Sequence, residues 1–87
     1  MTYKLQVERR VRRALVALPQ RDYIRIERAI DALANELRPR GTKKLHGGAP
    51  LWRLRVGEYR VIYAVFDRER IVKIVGVARR REDTFEV

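Results

Sequence analysis

Eighty-seven residues, 46% hydrophobic and 37% charged, make one small folded domain over residues 1–87, too short for two cores and too apolar for a disordered chain. The formal net charge is +10, and seventeen of the 21 basic residues are arginine, which points to an anionic partner: nucleic acid, an acidic protein or an anionic membrane surface. The lack of cysteine excludes disulfides and thiolate sites; no apolar run approaches the roughly 18 residues of a membrane span, and with no signal-peptide apolar region the cytoplasm is the expected compartment.

Residues 3–7 alternate and read as a short first strand. Val11, Ala14, Leu15 and Leu18 recur at helical spacing and predict a short helix over residues 9–18. Pro19-Gln20 interrupts it. Tyr23, Ile26, Ile30, Leu33 and Leu37 then step by three and four, predicting an amphipathic helix from 21 to 36 or 37, stopped by Pro39 and Gly41. So short a break between two helices predicts an antiparallel helical hairpin.

Residues 38–50 form a basic loop rich in Gly and Pro, of which 43–46 could add a few sheet contacts. Three strands follow over 51–56, 59–66 and 71–78, with Asp67-Arg68-Glu69-Arg70 as the second turn. The tail is charged and ends Thr84-Phe85-Glu86-Val87, a possible last edge segment. The order β-α-α-β-β-β describes an α+β domain: an N-terminal strand and a helical hairpin packed on one face of a small antiparallel sheet.

The segment Leu51 to Phe66 carries the functional signal. Gly57-Glu58 separates two strands, and Gly first in a two-residue loop suits a type II′ turn. That turn pairs Val56 with Tyr59, Arg55 with Arg60 and Leu54 with Val61. Alternation then puts Trp52, Leu54, Val56, Tyr59 and Val61 on one face and Arg53, Arg55 and Arg60 on the other. If the helices cover the first face, the second is left open. Like charges opposed across a hairpin are destabilising, so a sequence that collects them there is either solvating a surface or preparing to meet an anion. Trp52, Tyr59 and Tyr63 belong to the core by the same alternation. His46 is the sole histidine and cannot build a metal site.

Lys44-Leu45-His46-Gly47, then Trp52-Arg53-Leu54-Arg55-Val56-Gly57-Glu58-Tyr59-Arg60-Val61-Ile62-Tyr63, then the basic segment Ala78-Arg79-Arg80-Arg81-Glu82-Asp83, behind a helical hairpin, form an ordered set. By it the chain resembles the RelE/ParE superfamily of toxins over nearly its full length. The resemblance implies the toxin of a type II toxin–antitoxin system. On the RelE branch it implies a ribosome-dependent, metal-independent mRNA endoribonuclease that inhibits translation, with the ribose 2′-hydroxyl attacking the adjacent phosphate. It implies an acidic antitoxin, the ribosome and mRNA as partners, a hetero-oligomeric toxin–antitoxin complex, and no cofactor or metal.

Carried onto matching positions, the catalytic set is Arg53, Arg55, Arg60 and Arg80, the last with a register uncertain by one within the arginine run. Arg53 and Arg55 stand where the RelE branch often has lysines. Lys43, Lys44, Arg79, Arg81 and Phe85 are the expected RNA contacts. Phe85 stands at the branch's C-terminal tyrosine, so it can stack on a base but offers no hydroxyl. Guanidiniums suit the charge that builds on a phosphorane, but arginine is a poor base. Glu58, Glu82, Asp83 and His46 are the candidates for proton transfer, none singled out by spacing. The alternatives are a ParE-like inhibitor of DNA gyrase without nuclease activity, and a non-catalytic family member that binds only RNA or an antitoxin.

Overall fold

A computed structural model describes residues 2–45 and 50–79. The elements run β1 (Lys4–Val7), α1 (Arg9–Val16), α2 (Gln20–Ala32), β2 (Thr42–Lys44), β3 (Leu51–Val56), β4 (Tyr59–Phe66) and β5 (Ile71–Arg79). One five-stranded sheet has the order β1-β5-β4-β3-β2. The α+β architecture with a helical hairpin on one face is therefore the observed one.

Three details differ from the periodicity. First, the sheet is mixed: β1 pairs parallel with β5, Lys4 opposite Ile71. Alternation identifies a strand but not its direction, which depends on hydrogen bonds to a segment far along the chain. Second, α2 ends at Ala32, although Leu33 and Ala34 remain buried. The backbone tightens into i→i+3 bonds, Ala34 N to Asp31 O and Asn35 N to Ala32 O, so the apolar stepping continues in a tighter coil. The Tyr3 amide takes the Ala34 carbonyl at 2.8 Å, and Pro39 disfavours helical geometry at Arg38. α1 likewise stops at Val16, before Pro19. Third, Thr42–Lys44 is a true edge strand, antiparallel to β3 with Lys43 opposite Arg53 and Lys44 opposite Trp52.

The core lies between helices and sheet. Val11 and Leu15 of α1 and Ile26 and Ile30 of α2 meet Leu54, Val61, Tyr63, Val72 and Ile74. Polar ties fix the layers: Arg12 on α1 pairs with Glu27 on α2 at 2.7 Å, Tyr59 donates to Asp22 Oδ2 at 2.9 Å, and Tyr63 donates to the Leu37 carbonyl at 2.7 Å. Among the described residues no charged or polar side chain is buried. No helix there is long and apolar enough to cross a membrane.

β4 and β5 contain an irregularity that matters for the site. Ile62 opposes Gly76 but Tyr63 opposes Ile74, so Val75 is an extra residue, a β-bulge. The bulge lets both Ile74 and Val77 reach the core despite their odd spacing. Beyond it Ala78 opposes Arg60 and Arg79 opposes Tyr59.

Candidate nucleic-acid interface

The β3–β4 hairpin has the register its sequence predicts: Val56 with Tyr59, Arg55 with Arg60, Leu54 with Val61. Gly57 has φ 59, and Glu58 is not among the residues with positive φ, which fits a type II′ turn and rules out type I′. The Arg25 guanidinium of α2 lies against this turn. A Cβ built on Gly57 would come within 2.7 Å of Arg25 Nη1. Glycine is thus required by backbone conformation, and a helix-borne arginine packs over the space it leaves.

The hairpin fixes the faces. Leu54, Val56, Tyr59, Val61 and Tyr63 belong to the helix-covered core. Arg53, Arg55 and Arg60 share the other face, and the register adds Lys43 directly opposite Arg53. Arg55 and Lys43 are exposed, and Arg53 and Arg60 are half-buried. Directly opposed residues have Cβ atoms about 5 Å apart, so the rows Lys43–Arg53 and Arg55–Arg60 bring four cations onto one small area. None of the four has a carboxylate partner at ion-pair distance among the described residues.

This face is less open than alternation alone suggests. Ile62, Ala64 and Ala78 lie on it and are buried, yet they stand outside the helix-side core. β4 is the central strand of the sheet, walled by β3 and β5 on its two sides. The cations therefore ring an apolar floor rather than cover a flat, wet surface, an arrangement in which charge–charge interactions are less screened.

Other predicted contacts fall elsewhere. Lys44 lies on the helix side, with Nζ 6.0 Å from the Trp52 ring centroid. Arg79 also points to the helix side. It stands 6.0 Å over the Tyr59 ring and 3.9 Å from Glu58 Oε2, both of its partners at the hairpin tip. Glu58 is thus engaged away from the arginine face. Trp52 is half-buried and packs on the core as expected, but its ring also carries the Arg38 guanidinium at 4.7 Å. Nothing in the periodicity of residues 38–50 pointed to Arg38. His46, Arg80, Arg81, Glu82, Asp83, Phe85 and the proposed edge segment at 84–87 lie outside the described residues.

The tyrosines behave as structural donors. Burial, with the bond to Asp22, pushes the Tyr59 hydroxyl up from its usual pKa, and burial does the same at Tyr63. Tyr3 is raised by its 2.7 Å bond to Asp67, and Tyr23 chiefly by the Glu27 carboxylate. A cavity of about 430 Å³ opens between β1 and the two helices, beside Leu5, Val7 and Arg12. It lies at the opposite edge of the sheet from β2 and β3.

A mixed sheet with a helical hairpin on one side and clustered guanidiniums on the other fits the family of the sequence motifs. The family model for the ParE toxin of type II toxin–antitoxin systems matches residues 3–84. The chain belongs to that toxin family, and its relatives place it on the RelE-like branch of the RelE/ParE superfamily. It is similar to a chain of the archaeal RelE–RelB complex from Pyrococcus horikoshii, at 36% identity over 94% of this chain and 99% of that one, with a TM-score of 0.83. A chain of the RelBE2 toxin–antitoxin complex from Mycobacterium tuberculosis matches at 28% identity over 92% and 100%, with a TM-score of 0.80. The protein of Methanocaldococcus jannaschii that bears the name "Putative toxin RelE1" is 29% identical over 83 residues, 92% of each chain.

Proposed function

We propose that this toxin is a ribosome-dependent endoribonuclease that cuts mRNA during translation. The observation that carries the reading is the convergence of Arg53, Arg55, Arg60 and Lys43 on one sheet face without carboxylate partners. In the reaction, the ribose 2′-oxygen bonds to phosphorus and the bond to the 5′-oxygen breaks. The products are a 2′,3′-cyclic phosphate and a 5′-hydroxyl. The 2′-hydroxyl proton must be removed, and the leaving 5′-oxygen must gain one. Arg55 and Arg60, as a directly opposed pair, present planar forks to the non-bridging oxygens, where charge builds. Arg53 and Lys43 hold the flanking backbone. Arg80 completes the catalytic set, with Arg79, Arg81, Lys44 and Phe85 as further RNA contacts. These last assignments rest on the resemblance. The proton acceptor is left to Glu58, which lies toward Arg79 at the exposed hairpin tip, the tail carboxylates, His46 or the ribosome.

Two of the solved neighbours are chains of toxin–antitoxin complexes, which supports a cognate antitoxin here as well. We propose an acidic one, since a chain of net charge +10 associates fast with an acidic partner. A cytoplasmic setting follows from a ribosomal target.

The match to a ParE family model supports a second reading, inhibition of DNA gyrase without cleavage of RNA. In vitro translation of a defined mRNA, with mapping of 5′ ends, separates the two. Codon-phased cuts that need ribosomes and vanish in Arg60→Ala and Arg80→Ala support the nuclease. Intact mRNA together with blocked supercoiling by gyrase supports the second reading, and neither effect points to a member that binds only RNA or antitoxin.

A further inference from the structure

We propose that Arg38 and Lys44, seated on Trp52, form a second phosphodiester-binding site for single-stranded RNA, on the sheet face opposite Arg53, Arg55 and Arg60. The inference rests on the reading that RNA is the partner, and it extends the contact surface around the β2 edge.

Two cations share one indole. The Arg38 guanidinium carbon stands 4.7 Å and the Lys44 ammonium 6.0 Å from the Trp52 ring centroid. Both side chains are exposed, and neither has an ion-pair partner among the described residues. The ring quadrupole holds cations in place but cancels none of their charge. The site is therefore positive, positioned and unneutralised.

Edge lysines deter unwanted strand pairing, which accounts for lysine on β2. It does not account for an arginine from the preceding segment meeting the same ring. A guanidinium over an aromatic ring keeps its donors in its own plane, free for two phosphate oxygens. Its outer face is free to stack on a base, a contact that an acidic peptide would not use.

The edge strand supplies continuity. Lys43 and Lys44 are consecutive on β2 and point to opposite faces, one opposite Arg53 and the other opposite Trp52. A single strand crossing this edge meets Lys43 on the arginine face and Lys44 with Arg38 on the other. Lys44 thus keeps its expected role in RNA binding, but in a subsite separate from the scissile one.

The test is fluorescence anisotropy of a labelled single-stranded oligoribonucleotide with the full chain, across salt from about 50 to 200 mM. The double variant Arg38→Ala/Lys44→Ala should weaken binding about tenfold and lower the salt slope of log K by about 0.7 to 1.4, as one or two phosphate contacts are lost. Arg38→Lys should keep the slope with an intermediate Kd, because charge remains and the planar fork does not. Arg28→Ala, an exposed cation on α2, controls for net charge and should leave the slope unchanged. Both mutated side chains of the double variant are exposed, so its melting temperature should match that of the parent.

A double variant with the parent's Kd and slope overturns the proposal. So does an equal effect from Arg28→Ala, or a parent chain that binds no RNA at low salt. Loss of binding to a polyglutamate peptide with RNA affinity intact would assign the site to an acidic protein instead. If the double variant loses RNA affinity while the parent cuts no mRNA in translation, this site stands and the nuclease reading falls. If the parent cuts mRNA and the double variant binds RNA as the parent does, only this inference falls.

Discussion

The two faces of the β3–β4 hairpin are built from alternate residues of the same strands and do opposite things. On the helix side, Leu54, Val61 and Tyr63 are sealed against Leu15, Ile26 and Ile30, and the tyrosine hydroxyls of Tyr59 and Tyr63 end on fixed acceptors. Polar atoms there are few, and among the described residues one of them, Thr42 Oγ1 opposite Leu54, is buried without a hydrogen-bond partner. On the other side, four cations stand in two opposed rows with no carboxylate among the described residues to neutralise them. Neighbours such as Arg60 and Val61 differ only in which way the pleat turns them. The lesson is that one face holds the fold together while the other keeps charge uncompensated. A cluster of that kind weakens the hairpin slightly and makes sense when an anion completes it.

Substitutions can break or sharpen this contrast. Ile26→Ala empties a fully buried site and should cost about 2–5 kcal/mol of stability. Each kcal/mol should lower the melting temperature by about 4–8 °C, readable by calorimetry. Arg60→Ala should do the reverse: stability within about 0.5 kcal/mol of the parent and cleavage of ribosome-bound mRNA down about 10²–10³-fold, a loss typical of one transition-state donor. If Arg60→Ala melted like a core variant, the division between the faces would collapse.

Gly57→Ala should cost about 1–2 kcal/mol, because φ 59 disfavours any L side chain there. The same substitution must also displace the Arg25 guanidinium. Tyr63→Phe should cost about 1–2 kcal/mol, by leaving the Leu37 carbonyl without its donor. The smallest effect has the opposite sign. Arg55→Thr should raise stability by a few tenths of a kcal/mol, as it removes a like-charge opposition, while lowering cleavage. A protein stabilised and inactivated by one change is the signature of a face kept for function.

Alkaline pH probes the tyrosine hydroxyls. All four tyrosines have hydroxyls raised above their ordinary value. The folded chain therefore holds these protons more tightly than the unfolded chain does. That contribution is fully present below the unfolded value of about 10 and is lost as pH rises through the higher folded values. Denaturant midpoints should fall above pH of about 10, and fall less in Tyr59→Phe.

Much of this was legible in the chain. Helical stepping at Ile26, Ile30 and Leu33, alternation at Leu54 and Val61, and Gly57 in the turn are local signals, and the structure follows them. The arginine face follows from the same alternation, since Arg55 and Arg60 need only a two-residue turn to meet. The end of α2 was not legible, because it depends on the Tyr3 amide reaching the Ala34 carbonyl across 31 positions of sequence. Nor was Arg38 on Trp52, a contact between a loop and a strand that no period describes.

The sequence by itself determined what short-range geometry can carry: two amphipathic helices, the hairpin register, its turn, and a basic face made of alternate residues. Tertiary structure decided the rest. Long-range hydrogen bonds set β1 parallel to β5. The extra residue Val75 reverses the alternation in β5, so that Ala78 rather than Val77 stands opposite Arg60, and Arg79 stands opposite Tyr59. Unbroken alternation from the buried Ile74 would have turned Arg79 toward the arginine face. The bulge sends it instead to Tyr59 and Glu58. A side chain's face is a matter of parity, and one unpaired residue inverts it for everything that follows.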